Sequence, residues 1–141
     1  MVVRPALQQD YKGIASLIQN ELGYCNETDE DIYKRLDTIG KSGSHQTLAA
    51  CAGDTVVGFI GLCRAVTYET GEQITIQAFA VSDRYQRQGI GKALLSAARD
   101  YAKEHGIKII RLGCAFHREG SQKFYEANGF EQVGFIYFMY L

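Results

Sequence analysis

Apolar residues recur with two different periods along this chain of 141 residues, and each change of period separates a predicted helix from a predicted strand. A period near 3.6 residues predicts amphipathic helices, here at residues 10–22, 28–39, 89–105 and 119–128. Alternating or continuous apolar runs predict strands, here at residues 2–4, 45–52, 55–67, 74–81, 107–115 and 131–141. The predicted order is β-α-α-β-β-β-α-β-α-β, a mixed α/β fold in one domain of residues 1–141, with a central sheet and helices on both faces.

Several predicted ends of helices and strands are marked by residue types that favour such ends. Asp10 and Thr28 precede the first two helical patterns and are predicted N-caps. Gly53-Asp54 is predicted to form a two-residue hairpin turn between two strands. Gly106 is placed to end the third helix.

The strand predicted at residues 74–81 changes phase along its length. Ile74, Ile76 and Ala78 fall on one face by alternation, whereas Phe79 and Val81 fall on the other. Such a change is typical of a β-bulge, or of a strand that is covered on both faces.

Composition and charge narrow the function classes. A hydrophobic content of 46% and a single proline fit a chain with a sizeable core. The net charge of −1 gives no reason to expect nucleic acid as a partner. No apolar run is long enough for a membrane span, and residues 1–5 lack a signal-peptide layout. The four cysteines are far apart, so we expect reduced thiols in a cytoplasm, with neither a metal site nor a disulfide framework.

The run from Arg84 to Leu95 is the strongest functional signal in the sequence. It lies between a predicted strand and a predicted helix, and it contains Gly89 and Gly91. Closely spaced glycines let the backbone direct several N–H groups to one point, and the helix adds its positive end. With Arg84, Arg87 and Lys92 around it, this loop is predicted to bind a pyrophosphate.

Two other phosphate-binding loops are excluded by spacing. A Walker A loop requires a glycine five residues before Gly-Lys and a Ser or Thr after it, but this chain has Gln86 and Ala93. A dinucleotide-binding fingerprint requires a third glycine three residues after the second, where Leu94 stands.

The pattern Gln86-x-x-Gly89-x-Gly91 resembles the acetyl-CoA loop of the GNAT superfamily of N-acetyltransferases. Residues 121–130, which read Ser-Gln-Lys-Phe-Tyr-Glu-Ala-Asn-Gly-Phe, are similar to the family's Phe-Tyr-Glu-x-x-Gly-Phe helix. The order of elements is similar to the GNAT fold across nearly the whole chain. The resemblance implies a twisted, mostly antiparallel sheet, and acetyl-CoA as cosubstrate with no metal.

The resemblance also implies site residues. The pantetheine arm would follow the backbone of the fourth strand, and the pyrophosphate would lie on the glycine run. The implied cofactor-binding residues are Phe79, Ala80, Val81, Gln86, Arg87, Gln88, Gly89, Ile90, Gly91 and Lys92. Tyr125 matches the tyrosine that protonates the leaving thiolate in many members; alternatively, it braces the short helix as a structural side chain.

No general base is assigned from the sequence. Many family members carry a glutamate where this chain has Gln77, which cannot accept a proton. A water relay could start from one of four side chains, each of which has an ordinary loop or helix-start role as its alternative: Glu27, Glu69, Glu72 and His117. Loop residues that would face an acceptor are Tyr24, Cys25, Asn26, Glu27, Tyr68 and Glu69.

Three functions follow from these residues. The first is transfer of an acetyl group from acetyl-CoA to a primary amine, of a small molecule in particular, by direct attack in a ternary complex. The second is acetylation of a protein or peptide amine, and the third, motivated by Gln77, is a catalytically silent acyl-CoA sensor. A homodimer is compatible with the family, and the apolar residues 135–141 are expected in the core, with a subunit contact as the alternative.

Overall fold

The computed structural model describes residues 1–115 and 119–141. Its strands are β1 (Val2–Pro5), β2 (His45–Ala52), β3 (Thr55–Thr67), β4 (Gly71–Val81) and β5 (Ile110–Leu112). Its α-helices are α1 (Tyr11–Asn20), α2 (Asp29–Gly40), α3 (Ile90–Glu104) and α4 (Glu119–Ala127), with 3₁₀ turns at Gln8–Asp10 and Asp83–Tyr85. The chain divides into two compact units, Met1–Arg111 and Leu112–Leu141. No helix within the described ranges is long and apolar enough to cross a membrane.

The five strands form one sheet in the order β1-β2-β3-β4-β5, and the ladders from β1 to β4 are antiparallel. Ala52 pairs with Thr55, and Gly53 between them has φ +60°, so the predicted two-residue hairpin turn is confirmed. The mixed sheet with helices confirms the predicted fold class.

A β-bulge at Gln77 accounts for the phase change in β4. Gly61 pairs with Ala78 and Leu62 pairs with Ile76, so Gln77 is an extra residue without an opposite partner in β3. Ala78 packs with the α1 and α2 core, whereas Ile76 lies opposite Leu62 on the other face. The prediction that Ala78 shares a face with Ile76 is therefore wrong, because the extra residue reverses the alternation.

Helices cover both faces of the sheet in the first unit. One core contains α1, α2 and two strand residues: Ile14, Ala15, Leu17, Ile32, Leu36, Phe59 and Ala80. Gly58, the neighbour of Phe59 in β3, points to the opposite face. There, a methyl group on Gly58 would lie 3.2 Å from side-chain atoms of both Ile90 and Leu94 of α3. The helix therefore packs directly on β3.

The two predicted N-caps have different outcomes. Thr28 caps α2 as predicted, since its Oγ1 accepts a hydrogen bond from the Asp31 N–H at 3.1 Å. Asp10 occupies the N-cap position of α1 as predicted, but its side chain makes no capping hydrogen bond. Its carboxylate instead receives two guanidinium N–H groups of Arg4, at 2.6 and 3.0 Å, and the Leu7 N–H at 2.7 Å. Asp10 is buried, and its hydrogen bonds to Arg4 connect β1 to the start of α1. A guanidinium stabilises a buried carboxylate more strongly than a helix N–H does, because the hydrogen bond is between charged groups.

The start of β5 differs from the prediction. Gly106 adopts φ +66° and ends α3 as predicted, but the Ile107 N–H donates back to the Ala102 carbonyl at 2.8 Å. Ile107 therefore still belongs to the closing turn of the helix. The strand is assigned only at Ile110–Leu112, and the prediction of a strand over residues 107–115 is too long at both ends.

The second unit contains α4 and the C-terminal residues. Gly129, with φ +94°, ends α4 as predicted. The strand predicted at residues 131–141 does not form: within the described residues, these positions join no ladder, and their large apolar side chains are exposed. Strand propensity alone does not form a strand, because the backbone groups need a neighbouring strand to bond. The expectation that residues 135–141 lie in the core is also wrong, because their side chains are exposed.

The ionisation of Asp10 is expected to make the free energy of unfolding depend on pH. Its hydrogen bonds to Arg4 lower the pKa of the Asp10 carboxyl below its usual value. The folded protein therefore binds fewer protons here than the unfolded chain, so this stabilisation is present above about pH 4 and is lost as pH falls through the folded pKa. We expect Asp10→Asn to lower the free energy of unfolding at pH 7 by about 1–3 kcal/mol, because Arg4 loses its charged partner.

Urea unfolding at pH 7, 5, 4 and 3 measures this effect. The difference between wild type and Asp10→Asn should shrink as pH falls. Asp100→Asn, a change at an exposed residue of α3, should stay within about 0.5 kcal/mol of wild type at every pH. Equal losses for both variants at pH 7 would contradict the role of the ion pair.

Candidate active site

The connection from β4 to α3 has an unusual backbone. The Asp83–Tyr85 turn follows β4, with the Tyr85 N–H donating to the Ser82 carbonyl at 2.9 Å. Arg87 then adopts φ +64°, and Gly89 adopts φ +80° immediately before α3. A residue other than glycine in this left-handed region is uncommon and costs about 1–2 kcal/mol. The segment of residues 86–91, here named the glycine loop, is thus held in a tight reversal at the start of α3.

The N-terminus of α3 presents main-chain donors at this loop. The Ala93 N–H donates to the Gly89 carbonyl at 3.0 Å, which is the first i→i−4 bond of the helix. The N–H groups of Ile90, Gly91 and Lys92 precede this bond and so have no acceptor in the helical pattern. They lie at the positive end of the helix dipole, which favours an anion.

Cationic residues flank these donors in the chain. Arg84, Arg87 and Lys92 are exposed, as are Gln86, Gln88 and Gly89. Ile90 is different, because its side chain is buried and only its main chain can serve a ligand. Several N–H groups at a helix start, together with mobile cations, fit a diphosphate. The predicted cofactor-binding residues of the loop are therefore brought together in one place.

The end of β4 offers a second row of main-chain groups. The Ser82 N–H donates to the Val57 carbonyl of β3 at 2.8 Å. Because hydrogen bonding alternates along an antiparallel ladder, Ala80 also bonds toward β3. Phe79 and Val81 then direct their N–H and C=O groups to the opposite edge, which is the edge where β5 lies. Of the three predicted residues, Phe79 and Val81 thus supply backbone groups at that edge, while Ala80 is a buried spacer.

Glu21 is a residue that the sequence did not indicate. Its Oε1 accepts the Asp83 N–H at 3.1 Å and so ties the end of α1 to the turn before the glycine loop. The two residues are far apart in sequence, and no local pattern reveals the pair. Glu21 is therefore a positioning residue for the start of the loop.

Tyr125 lies in the second unit, on α4. Its ring is half-buried between Phe124 and Phe130, with centroid distances of 5.8 and 5.6 Å and edge-on geometry. The Phe130 N–H donates to the Tyr125 carbonyl at 3.0 Å, which closes the end of the helix. These contacts fix the ring, and they suit both a catalytic phenol and a structural tyrosine.

Two of the candidate general bases already have cationic partners. The Glu27 carboxylate pairs with Arg35 at 2.8 Å, and Glu72 lies 3.9 Å from Arg64. Gln77 is exposed at the bulge of β4. His117 and the neighbouring Arg118 lie outside the described residues. Among the residues that the structure describes, it thus singles out no base.

The residues predicted to face an acceptor lie in two separate loops. Tyr24, Cys25 and Asn26 are exposed between α1 and α2. Tyr68 and Glu69 are exposed at the turn between β3 and β4. The exposed phenols and carboxylates are polar groups that a soluble amine could contact, and they equally fit ordinary loops.

Known proteins resemble this chain in both sequence and fold. The uncharacterized N-acetyltransferase YhfO of Bacillus subtilis (strain 168) is 40% identical over 52 residues, or 36% of this chain. The matched segments span only about a third of YhfO and of a second curated relative, from Methanocaldococcus jannaschii: 35% and 34% of their lengths.

Solved structures match over more of the chain. A transcriptional regulator from Bacillus halodurans C-125 has a TM-score of 0.90 at 24% identity and covers 99% of both chains. The aminoglycoside N-acetyltransferase AAC(6′)-Iy, in complex with CoA, has a TM-score of 0.87 at 17% identity, over 99% of this chain and 93% of that one. At these identities, the likeness shows the fold.

The sequence model of the acetyltransferase (GNAT) family matches residues 11–130, which is most of the chain. That range includes the bulged strand β4, the glycine loop and α4. The match confirms the resemblance seen in the two sequence motifs, and the chain belongs to the GNAT acetyltransferase family.

Proposed function

We propose that this protein is an N-acetyltransferase that moves the acetyl group of acetyl-CoA to a primary amine of a small molecule. The amine attacks directly, with both substrates bound. The observation that carries the proposal is the glycine loop, where left-handed residues Arg87 and Gly89 precede the first N–H groups of α3, which have no acceptor within the helix. In a GNAT chain, this arrangement is suited to the diphosphate of coenzyme A.

Acetyl-CoA is held by main-chain groups in this proposal. Residues 86–92 bind the diphosphate through N–H groups and the side chains of Arg87 and Lys92. Phe79 and Val81 bind the pantetheine arm along the edge of β4 opposite β3. When bound, acetyl-CoA supplies the activated acyl group as a thioester. No metal is part of the proposed reaction.

The acceptor amine must lose a proton before it attacks. An amine with a pKa near 10.4 is unprotonated in only about one molecule in 2,500 at pH 7, a cost of roughly 4–5 kcal/mol. Glu27 and Glu72 already compensate arginine charges, and Gln77 cannot accept a proton. We therefore expect an acceptor whose amine pKa is lowered, or proton transfer through water.

Tyr125 is the proposed proton donor to the leaving sulfur. A phenol in water has a pKa of about 10 and a thiol one of about 8.5, so a tyrosine hydroxyl has a proton to donate to a leaving thiolate at pH 7. The packing of its ring against Phe124 and Phe130 restricts where the hydroxyl can lie. A fixed donor loses little entropy when it acts, which is an advantage for catalysis.

The acceptor class is supported by relatives of similar fold. AAC(6′)-Iy is an aminoglycoside N-acetyltransferase that was solved in complex with CoA. Aminoglycosides as a chemical class are polar small molecules with several amines. The exposed Tyr24 and Tyr68 offer phenols, and Glu69 offers a carboxylate, for such a polycation. A peptide amine is the alternative acceptor, and an acyl-CoA sensor is the alternative function.

The proposal is tested in two steps on the full chain. Calorimetry with acetyl-CoA measures binding, and a panel of aminoglycosides, polyamines and peptides is then assayed by released thiol. Turnover with small amines supports the proposal. Turnover with peptides alone would support the second acceptor class, and binding without turnover would support the sensor. The absence of acetyl-CoA binding at millimolar concentration would refute all three.

The role of the glycine loop can be tested with two matched substitutions, one at Gly89 in the loop and one at Gly106 outside it. Gly89 and Gly106 flank α3, both have positive φ, and neither has an atom within 4 Å of an added methyl group. Changing either to alanine should cost about 1 kcal/mol of stability through backbone strain. Only Gly89→Ala should weaken acetyl-CoA binding, by about tenfold, because only that change disturbs the loop donors.

Calorimetry on both variants, with unfolding curves as the stability check, separates binding from folding. If Gly106→Ala weakens acetyl-CoA binding as much as Gly89→Ala does, the effect is one of general stability and the glycine loop is not the binding site.

Tyr125→Phe tests the proposed proton donor. Removing the hydroxyl should lower kcat by about 10²-fold or more, with little change in the Kd of acetyl-CoA, because the lost group acts only in the transition state. Tyr101→Phe, at a half-buried tyrosine of α3, is the matched control and should keep kcat within about twofold. An unchanged kcat in Tyr125→Phe would remove this residue from the mechanism.

A further inference from the structure

A groove lies between the C-terminal half of α3 and the sheet. Its volume is about 490 Å³, which is within the usual range of small-molecule sites. Sheet residues such as Pro5 and Leu48 line one side, and Ala97 and Glu104 of α3 line the other. All residues that line the groove belong to the first unit. The groove is separate from the glycine loop, because Gly91 and Glu104 lie near opposite ends of α3, about 20 Å apart at 1.5 Å per residue.

Arg64 supplies a cation on the sheet side of the groove. It lies on the same face of β3 as Gly58, because an even number of positions separates them and the bulge in this ladder is in β4. Its Nη2 donates to the Gly43 carbonyl at 2.8 Å. Its Nη1 lies 3.9 Å from the Glu72 carboxylate, which is too far for a hydrogen bond. Within the described residues, its buried Nε has no hydrogen-bond partner either. Arg64 therefore has hydrogen-bonding capacity left for a further anion.

Two carboxylates lie on the helix side of the groove. Asp100 and Glu104 are one turn apart in the C-terminal part of α3, and both line the groove. Neither forms an ion pair with another residue of the described ranges. Like charges at this spacing repel each other, and the C-terminal end of a helix favours cations over carboxylates. Their placement is therefore unfavourable by itself and becomes favourable when a cation binds beside them.

The other basic groups at the groove leave this charge pattern unchanged. The Arg4 guanidinium is already paired with the Asp10 carboxylate. His45 and His105 also line the groove. An imidazole in water has a pKa of about 6.5, so histidine side chains have little charge at pH 8. At that pH, the described residues of the groove thus offer one guanidinium and two carboxylates to a ligand.

We propose that this groove binds a free basic amino acid, for which lysine is the probe. The carboxylate of the ligand binds Arg64, and its two amino groups bind Asp100 and Glu104. One negative and two positive charges on the ligand are the complement of the charges in the groove. The Cβ atoms of residues i and i+4 in a helix are about 5–6 Å apart, a distance that the flexible four-carbon side chain of lysine can span. The inference does not depend on the proposed reaction.

Calorimetry on the full chain at pH 8 tests the proposal with lysine and two analogues. Cadaverine lacks the carboxylate of lysine, and norleucine lacks its side-chain amine. Lysine should bind, and each analogue should bind about tenfold more weakly or worse, because one charged group of the groove then stays without its partner. The proposal is overturned if lysine does not bind at millimolar concentration, or if either analogue binds as tightly as lysine.

Glu104→Gln tests whether lysine binds in the groove. This variant should bind lysine about tenfold more weakly than wild type. Asp54→Asn is the matched control, because it removes the same charge at an exposed hairpin turn, and it should keep the Kd within about twofold. Equal lysine affinity in wild type and Glu104→Gln overturns the proposal, whether or not the protein acetylates lysine. An equal loss in Glu104→Gln and Asp54→Asn overturns it as well.

Arg64→Gln tests which end of the ligand Arg64 binds. Lysine should bind this variant about tenfold more weakly, whereas the Kd of cadaverine should stay within about twofold, because cadaverine has no carboxylate. A structural role of Arg64 alone would weaken both ligands equally, and that result overturns the assigned orientation. Unfolding curves check that the variant folds, and Glu104→Gln, at an exposed position, keeps the test decisive if it does not.

Discussion

The close approach of α3 to β3 at Gly58 is the constraint on which the proposed site depends. A methyl group on Gly58 would lie 3.1 Å from the Ala80 carbonyl oxygen and 3.2 Å from atoms of Ile90 and Leu94. These distances are tighter than ordinary van der Waals contact, so a small residue lets the first turns of α3 rest on the sheet. The chain must then reverse within a few residues after β4, and positive φ at Arg87 and Gly89 makes that reversal.

The bulge at Gln77 changes the direction of the side chains and backbone groups at the end of β4. Without the extra residue, Ala78 would lie on the face of Ile76; with it, Ala78 joins the core of α1 and α2. The same shift changes which backbone groups bond to β3, and it leaves those of Phe79 and Val81 at the opposite edge. The start of α3 and the end of β4 each present main-chain N–H groups, and those of α3 lie next to Arg87 and Lys92 in the chain.

The sequence predicted those elements whose signals are local. The hairpin at Gly53, the cap at Thr28 and the helix end at Gly106 depend on residues close in the chain, and all three were confirmed. Asp10 was missed as an ion-pair partner, because its choice between a helix N–H and Arg4 depends on tertiary contact. The failure at residues 131–141 has a different cause. Strand propensity is intrinsic, but the partner strand is not part of the pattern. The glycine loop could be recognised from its sequence motif. The hydrogen bond that Glu21 accepts from the Asp83 N–H could not, because the two residues are far apart in the chain.

In the proposed binding mode, main-chain amides of the glycine loop bind the diphosphate of coenzyme A. A titration of ¹⁵N-labelled protein with coenzyme A, followed by amide NMR, detects these hydrogen bonds residue by residue. The largest downfield shifts are expected at the amides of residues 88–92, as hydrogen bonds to phosphate oxygens form, with smaller changes at Phe79 and Val81. Saturating binding that leaves the amides of residues 88–92 unmoved would contradict it.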